Sequence, residues 1–413
     1  MKICEENKCT GCFACLSVCP KHCISMQENE YGELHPKVDE KLCVNCKACF
    51  RTCPNNKDLP FRYPSKCYAS WITDNKKRCI CASGGIGTIM AEYVIKVKHG
   101  IVFGTAYDKD LIPQVVYTET LEGIEKFKGS KYVQSIVGVK TLRKVREFLL
   151  SDRFVLFIGT PCQIAGLKSF LHDEFDNLIT VDLICHGVSP TRYFVDEINY
   201  LCKKKRIPKE SITDIRFRGN DDNNYVMTFW DKFKRADSNN FALTIWRKLG
   251  GGKIVRIYKG EFLKEYYLTG FLLGITLREN CYKCNYARPQ RVSDITIGDF
   301  IGLGSEIPFD YSTKNVSSVM INTEKGKLFY EALSSEQQEL VNIERPYEER
   351  LIYKPSLVEP FKRHPLTDAF RMTYLKRGYV IASRSTLRNI VWKKRIRSTI
   401  AFILSPMRLI LKK

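Results

Sequence analysis

The sequence contains no run of about 18 uncharged apolar residues, so an ordinary membrane-spanning helix is not expected. Its first residues, MKICEENKCT, lack the apolar stretch of a secretory signal, and the expected compartment is the cytoplasm. Acidic residues are missing altogether after Asp368, although twelve Lys and Arg follow, among them Lys393, Lys394, Arg395, Arg397, Lys412 and Lys413. No nucleic-acid recognition motif accompanies that charge, which ranks nucleic acid low as a partner. What remains is a chain of 413 residues with ordinary apolar content, long enough for two or three domains.

Cysteine is what the sequence has in excess. Eighteen thiols in a chain without an apolar leader are better read as metal ligands or redox centres than as disulfides. Eight of them form a repeat: Cys9-x2-Cys12-x2-Cys15-x3-Cys19-Pro20 recurs 34 residues later as Cys43-x2-Cys46-x2-Cys49-x3-Cys53-Pro54. The short spacing lets one loop supply three corners of an iron–sulfur cubane, and the fourth cysteine of each run crosses to the other cluster. The expectation is two 4Fe–4S clusters, one on Cys9, Cys12, Cys15 and Cys53, the other on Cys43, Cys46, Cys49 and Cys19. Zinc knuckles would group cysteines in separated pairs instead. Each cluster with its thiolates carries roughly −2, offsetting part of the formal charge of +21.

Beyond a Pro-containing linker at 57–66, apolar runs alternate with helical patterns. Residues 101–106 and 154–158 (FVLFI) read as buried strands, 141–150 as an amphipathic helix, and Pro161 suits a first helical turn. Residues 178–184 read as a further strand, 205–265 as strands and loops, and 294–299 (DITIGD) as a short strand. Cys162 falls at a helix start, where the dipole favours thiolate. Cys185 closes a strand, and Cys281 and Cys284 form a Cys-x-x-Cys. These four can ligate another cluster; buried structural cysteines, a zinc site and a redox dithiol remain alternatives.

Residues 277–300 (LRENCYKCNYARPQRVSDITIGDF), GTPCQIAGLK at 159–168 and DLICHGVSP at 182–190 resemble the coenzyme F420 hydrogenase/dehydrogenase beta-subunit family. SGGIGT at 83–88 and KGSKYVQS at 128–135 resemble its N-terminal half. The resemblance implies a flavoprotein that binds FAD and moves electrons between it and a partner, with Cys162, Cys185, Cys281 and Cys284 holding a third 4Fe–4S cluster near the flavin. Relatives reduce chlorophyll intermediates or lie in surface-polysaccharide gene neighbourhoods. Two departures bear on the substrate and flavin contacts. The family's GDF is usually followed by Trp-Gly, where this chain has Phe300-Ile301-Gly302, and its serine-rich lead is here Cys79-Ile80-Cys81-Ala82-Ser83. Use of the deazaflavin F420 itself is not implied.

For the flavin, Ser83, Gly84, Gly85 and Thr88 offer unobstructed backbone N–H groups ahead of a helix over 89–98, although the segment is not a Gly-x-Gly-x-x-Gly fingerprint. Gly129, Ser130, Lys131 and Tyr132 offer a cation and hydroxyls. A plain glycine turn and a surface turn are the alternatives. Asp294 and Asp299 lie in the stretch that approaches the cofactor in the resembling motif; otherwise they are capping residues. Arg288 and Arg291 are phosphate candidates, or solvated arginines. His186, beside a suspected ligand, is the candidate proton donor and catalytic residue, with a hydrogen-bonded structural histidine as the alternative.

The fold expected is a multidomain α+β and α/β protein. A 2(4Fe–4S) ferredoxin-like module at 1–60 precedes an α/β flavin-binding body, split into an N-terminal-like part at 67–150 and a C-terminal-like part at 151–330. A basic, helical region follows at 331–413. In the tail, Ile396, Ile400, Ile403 and Leu404 share one helical face, which Pro406 should interrupt; such a helix suits an anionic membrane surface or docking on the body. The expected activity is that of an iron–sulfur, flavin-dependent oxidoreductase acting on an unidentified small molecule, with surface-polysaccharide synthesis as the neighbourhood analogy. The alternative is a non-catalytic subunit relaying electrons between a redox carrier and a partner oxidoreductase.

Overall fold

The computed structural model describes residues 2–219 and 241–410, with side chains through residue 400. The part of the 205–265 expectation that falls on 220–240 lies outside the described residues.

The cysteine repeat folds as a repeat. Helices Ala14–Val18 and Ala48–Thr52 occupy equivalent positions, each followed at its C-cap by the fourth cysteine of its run. Both approaches curl through left-handed residues at matching places, Gly11 and Phe13 in one copy, Asn45 and Lys47 in the other. Those positive φ values turn the chain tightly enough to bring cysteines two residues apart around one centre. A hairpin of β1 (Ile24–Glu28) and β2 (Leu34–Val38) lies between the copies.

The body is built on one eight-stranded sheet. Its strands are β3 (Lys66–Ile72), β4 (Ile101–Tyr107), β5 (Pro113–Thr118), β6 (Val155–Gly159), β7 (Leu178–Leu183), β11 (Ile295–Asp299), β12 (Ser317–Ile321) and β13 (Leu340–Arg345). Their order is β13-β3-β12-β11-β7-β6-β4-β5, with β4, β6, β7 and β11 parallel and antiparallel pairings on both flanks. The parallel strands are nearly continuous apolar runs because helices cover both faces. Helix Val139–Leu150 leads into β6, and helix Pro161–Leu171 crosses from β6 to β7, opening with Pro161 and a capping box between Thr160 and Gln163. The expected division at 150/151 falls between β5 and β6, which belong to the same sheet. A smaller antiparallel sheet holds β8 (Ile212–Arg216), β9 (Ala242–Lys248) and β10 (Ile254–Glu261) in the order β10-β9-β8.

The C-terminal helix, Thr367–Ile410, breaks at Gly378 and runs past Pro406, so the expected interruption there is not observed. Phe370, Tyr379, Ala382, Leu387 and Val391 are buried in the core shared with helix Thr191–Lys205. The same helix reaches the ferredoxin module, where Arg371 meets the buried Glu33 at 2.7 Å.

Candidate cluster and cofactor sites

Two cavities open inside the N-terminal module. One, of about 330 Å³ counting its mouth, is lined by Cys9, Cys12, Cys15 and Cys53; the other, of about 320 Å³, by Cys19, Cys43, Cys46 and Cys49. The crossover of the fourth cysteine follows from the repeat, since each C-cap points its thiol back toward the neighbouring loop. Each cavity also has a fifth thiol, Cys4 in the first and Cys23 in the second. The Cys23 sulfur lies 3.5 Å from that of Cys19. Among the described residues no three His, Cys, Asp or Glu side chains gather tightly enough to share a single ion. Of the eight repeat cysteines only Cys46 is exposed.

The first cavity backs directly onto the body. A Cβ built on Gly166 would lie 2.7 Å from the Cys12 Cβ, so helix Pro161–Leu171 touches this loop. One turn earlier in that helix stands Cys162. Cys185 follows β7, and Cys281 and Cys284 lie on and just after the turn Glu279–Lys283. Gly187 packs on Cys281, whose Cβ is 3.3 Å from a Cβ placed at the glycine. Burial pushes Cys162 up to about 11 and Cys185 up to about 12, and each is raised further by a neighbouring cysteine of the set. Proximity is thus visible in the electrostatics, and metal binding here would have to release protons.

Two buried arginines fasten this region. Arg278 donates to Gln134 Oε1 at 2.7 Å, to Asn280 Oδ1, and to the carbonyls of Cys9 and Leu34, stitching the Cys281 turn to the ferredoxin loops. Arg291 meets Asp182 of β7 at 3.0 Å and donates to the Tyr286 and Arg288 carbonyls.

A cavity of about 1380 Å³ counting its mouth lies at the carboxyl ends of β4, β6, β7 and β11. That is where open α/β sheets collect their ligands. Ser83, Gly85 and Thr88 line one side, where Gly85 (φ +84°) caps helix Ile86–Lys96; Gly129, Ser130, Lys131 and Tyr132 line another. Gly129 (φ +90°) is obligatory, because a Cβ there would lie 2.4 Å from Arg216 Cγ. Lys131 donates to the Lys126 and Lys128 carbonyls, both at 2.8 Å, and burial pulls its pKa down to about 7. At the far wall Asp299 accepts two bonds from Arg218, at 2.8 and 3.1 Å. Burial alone would raise the Asp299 carboxyl, but Arg218 and Ser83 hold it below its ordinary value. The lining is rich in N–H groups, hydroxyls and cations, and among the described residues its one carboxylate, Asp299, is already paired. That chemistry suits a large, phosphate-bearing ligand.

A family profile for the C-terminal part of the coenzyme F420 hydrogenase/dehydrogenase beta chain matches residues 152–346. These residues carry the C-terminal domain of that beta-subunit family. A profile described as 4Fe-4S dicluster domain matches residues 8–57. The chain is therefore an iron–sulfur electron-transfer protein of the F420 hydrogenase/dehydrogenase type. No curated protein matches it. Among solved structures, a chain of the F420-reducing NiFe hydrogenase complex from Methanosarcina barkeri is similar, at 16% identity over 80% of this chain and 93% of that one, with a TM-score of 0.41.

Several expected residues fall elsewhere in the structure. His186 does not line the large cavity: its Nε2 lies 3.1 Å from the Phe271 carbonyl oxygen, its ring packs on Phe271 and Phe361, and burial lowers its pKa to about 4. Asp294 sits at the amino end of β11, opposite the cavity, where its carboxylate accepts from the Thr180 N–H and hydroxyl. Gly84 is packed behind the cavity wall, its N–H given to Ser317 Oγ. Arg291 is committed to Asp182, and Arg288 stacks on Phe61, 4.4 Å from the ring centroid, leaving neither in the cavity. Sequence reasoning missed Arg218 and Arg278, because each acts across a long stretch of chain with no local pattern to mark it. Cys4 and Cys23 were at least visible as thiols flanking the first motif.

Proposed function

We propose that the chain is an iron–sulfur flavoprotein oxidoreductase, with two ferredoxin-type clusters and a third cluster linking a redox partner to FAD in the large cavity. The observation that carries this reading is serial order. Exposed Cys46 belongs to the second cysteine cavity, the first backs onto helix Pro161–Leu171 at Gly166, and Cys162 of that helix lies between Thr160 and Gln163, which line the large cavity. Cys185 is likewise flanked by Ile184 and Val188 of the cavity lining.

Cys9, Cys12, Cys15 and Cys53 would hold one cluster, Cys43, Cys46, Cys49 and Cys19 another, and Cys162, Cys185, Cys281 and Cys284 the third. A bound flavin supplies the exchange between single-electron and two-electron chemistry. The chain's own residues supply its holding: Gly85 and Gly129 admit close backbone approach, helix Ile86–Lys96 offers its N-terminus to a phosphate, and Ser83, Thr88, Ser130 and Tyr132 offer hydroxyls. Arg218 and Asp299 brace the wall where the substrate side would open. With His186 withdrawn, Lys131 is the group suited to hold and release a proton near neutral pH.

The test is anaerobic reconstitution followed by iron, sulfide and flavin analysis. About twelve irons and one FAD per chain are expected; about eight irons with no flavin would overturn the reading and leave a ferredoxin-type relay. Reoxidation of the reduced protein by a small molecule without any partner protein would separate an enzyme from a relay subunit.

A further inference from the structure

We infer that the C-terminal helix beyond Val391 is an anchor that lies flat on an anionic lipid bilayer. As far as Val391 this helix is part of the body: Leu387 and Val391 are fully buried, and Arg384 pairs with buried Glu197 at 2.6 Å. From the next residue its character changes. Trp392, Ile396 and Ile400 are 63%, 37% and 51% exposed. Their spacing of four puts them in one row along the helix. Lys393 and Arg397 project into solvent beside that row. Arg395 alone turns inward, its guanidinium donating to the Lys264 carbonyl at 2.6 and 2.9 Å, which fixes the helix against the body while leaving the row outward.

A tryptophan and two isoleucines held in water are unfavourable unless something covers them. The cations beside them, with no acidic residue after Asp368, select a negatively charged cover. Nucleic acid would use the cations and leave the apolar row wet. A bilayer with anionic headgroups uses both, the row entering the acyl boundary and the cations meeting the headgroups. None of the described helices is long and apolar enough to cross a membrane, so the contact is with the surface. This inference is independent of the redox reading, since every residue it uses lies outside the cysteine sets and the large cavity.

The experiment is flotation of the anaerobically purified full chain with vesicles of phosphatidylcholine, with and without phosphatidylglycerol. The chain should float with the anionic vesicles, stay behind with the neutral ones, and be released by salt. Lys393→Gln and Arg397→Gln should each lower the partition coefficient roughly fivefold. Changing Trp392, Ile396 and Ile400 together to Ser should abolish flotation with iron content and melting unchanged, because all three are exposed. Absence of flotation, equal flotation with neutral vesicles, flotation undiminished in the triple variant, or tighter binding to duplex DNA than to anionic vesicles would each overturn it.

Discussion

Replacing Arg291 with Met tests how the Cys281 and Cys284 loop is held to the sheet. Arg291 and Asp182 are 1% and 0% exposed and meet at 3.0 Å; among the described residues this is the one ionic partner of Asp182, and none donates a hydrogen bond to its Oδ1. Asp182 stands opposite Thr296 in the parallel pairing of β7 with β11, and Arg291 Nε donates to that threonine's hydroxyl at 3.2 Å. Met preserves much of the volume but strands a carboxylate in the dry interior. Breaking a buried pair from one side costs about 3–5 kcal/mol, a loss of roughly 150- to 5000-fold in the folding equilibrium. Urea unfolding followed by circular dichroism measures it, and the Asp182→Asn/Arg291→Met double variant closes the cycle. The double variant should recover much of the loss, because the stranded charge is gone. A single variant within about 1 kcal/mol of the parent, or a double variant no more stable than Arg291→Met, would show that the pair does not hold this loop.

Two further outcomes can be checked directly. Cys281→Ser should lower iron by about four per chain while leaving the ferredoxin-type signals in place; unchanged iron by colorimetric assay would remove Cys281 from the ligand set. Glu265 is raised to about 8 by burial, with Glu197 adding to the effect against the pull of the Leu268 and Tyr267 N–H groups. A carboxyl raised on folding binds a proton that the unfolded chain has already released. Its contribution is therefore fullest below the unfolded value and is lost as pH rises toward about 8. Glu265→Gln should accordingly stabilise the protein more at alkaline than at mildly acidic pH, and an equal change in urea midpoint at both would refute the assignment.

The cysteines lining the two N-terminal cavities were legible because their geometry is local. Spacings of two and three residues decide which sulfurs can share a cavity, and the pairing of Cys53 with the first set follows from the repeat. Legibility fell with distance along the chain. Asp294 and Asp299 flank the same strand, and only the parallel pairing of β11 with β7 decides that Asp299 meets the cavity while Asp294 binds Thr180 at the opposite end. The placement of Asp299 agrees with the rule that ligands gather at carboxyl ends of strands. Arg218 had no such rule: it arrives from just beyond β8, 81 residues before its partner. His186 shows the opposite failure, a chemically able side chain beside the right residues whose ring is spent on Phe271 and Phe361.

Gly166 has a consequence for how the molecule was assembled. The ferredoxin module resembles a part that could have been joined to many bodies, yet its Cys12 loop nests where a single methyl group would come within 2.7 Å of the Cys12 Cβ and 3.0 Å of its sulfur. A body bearing alanine there would have to hold the module further off, and tunnelling between redox centres weakens steeply with every added ångström. In the proposed electron path, the missing side chain at this one helix position sets the minimum thickness between the module and the body.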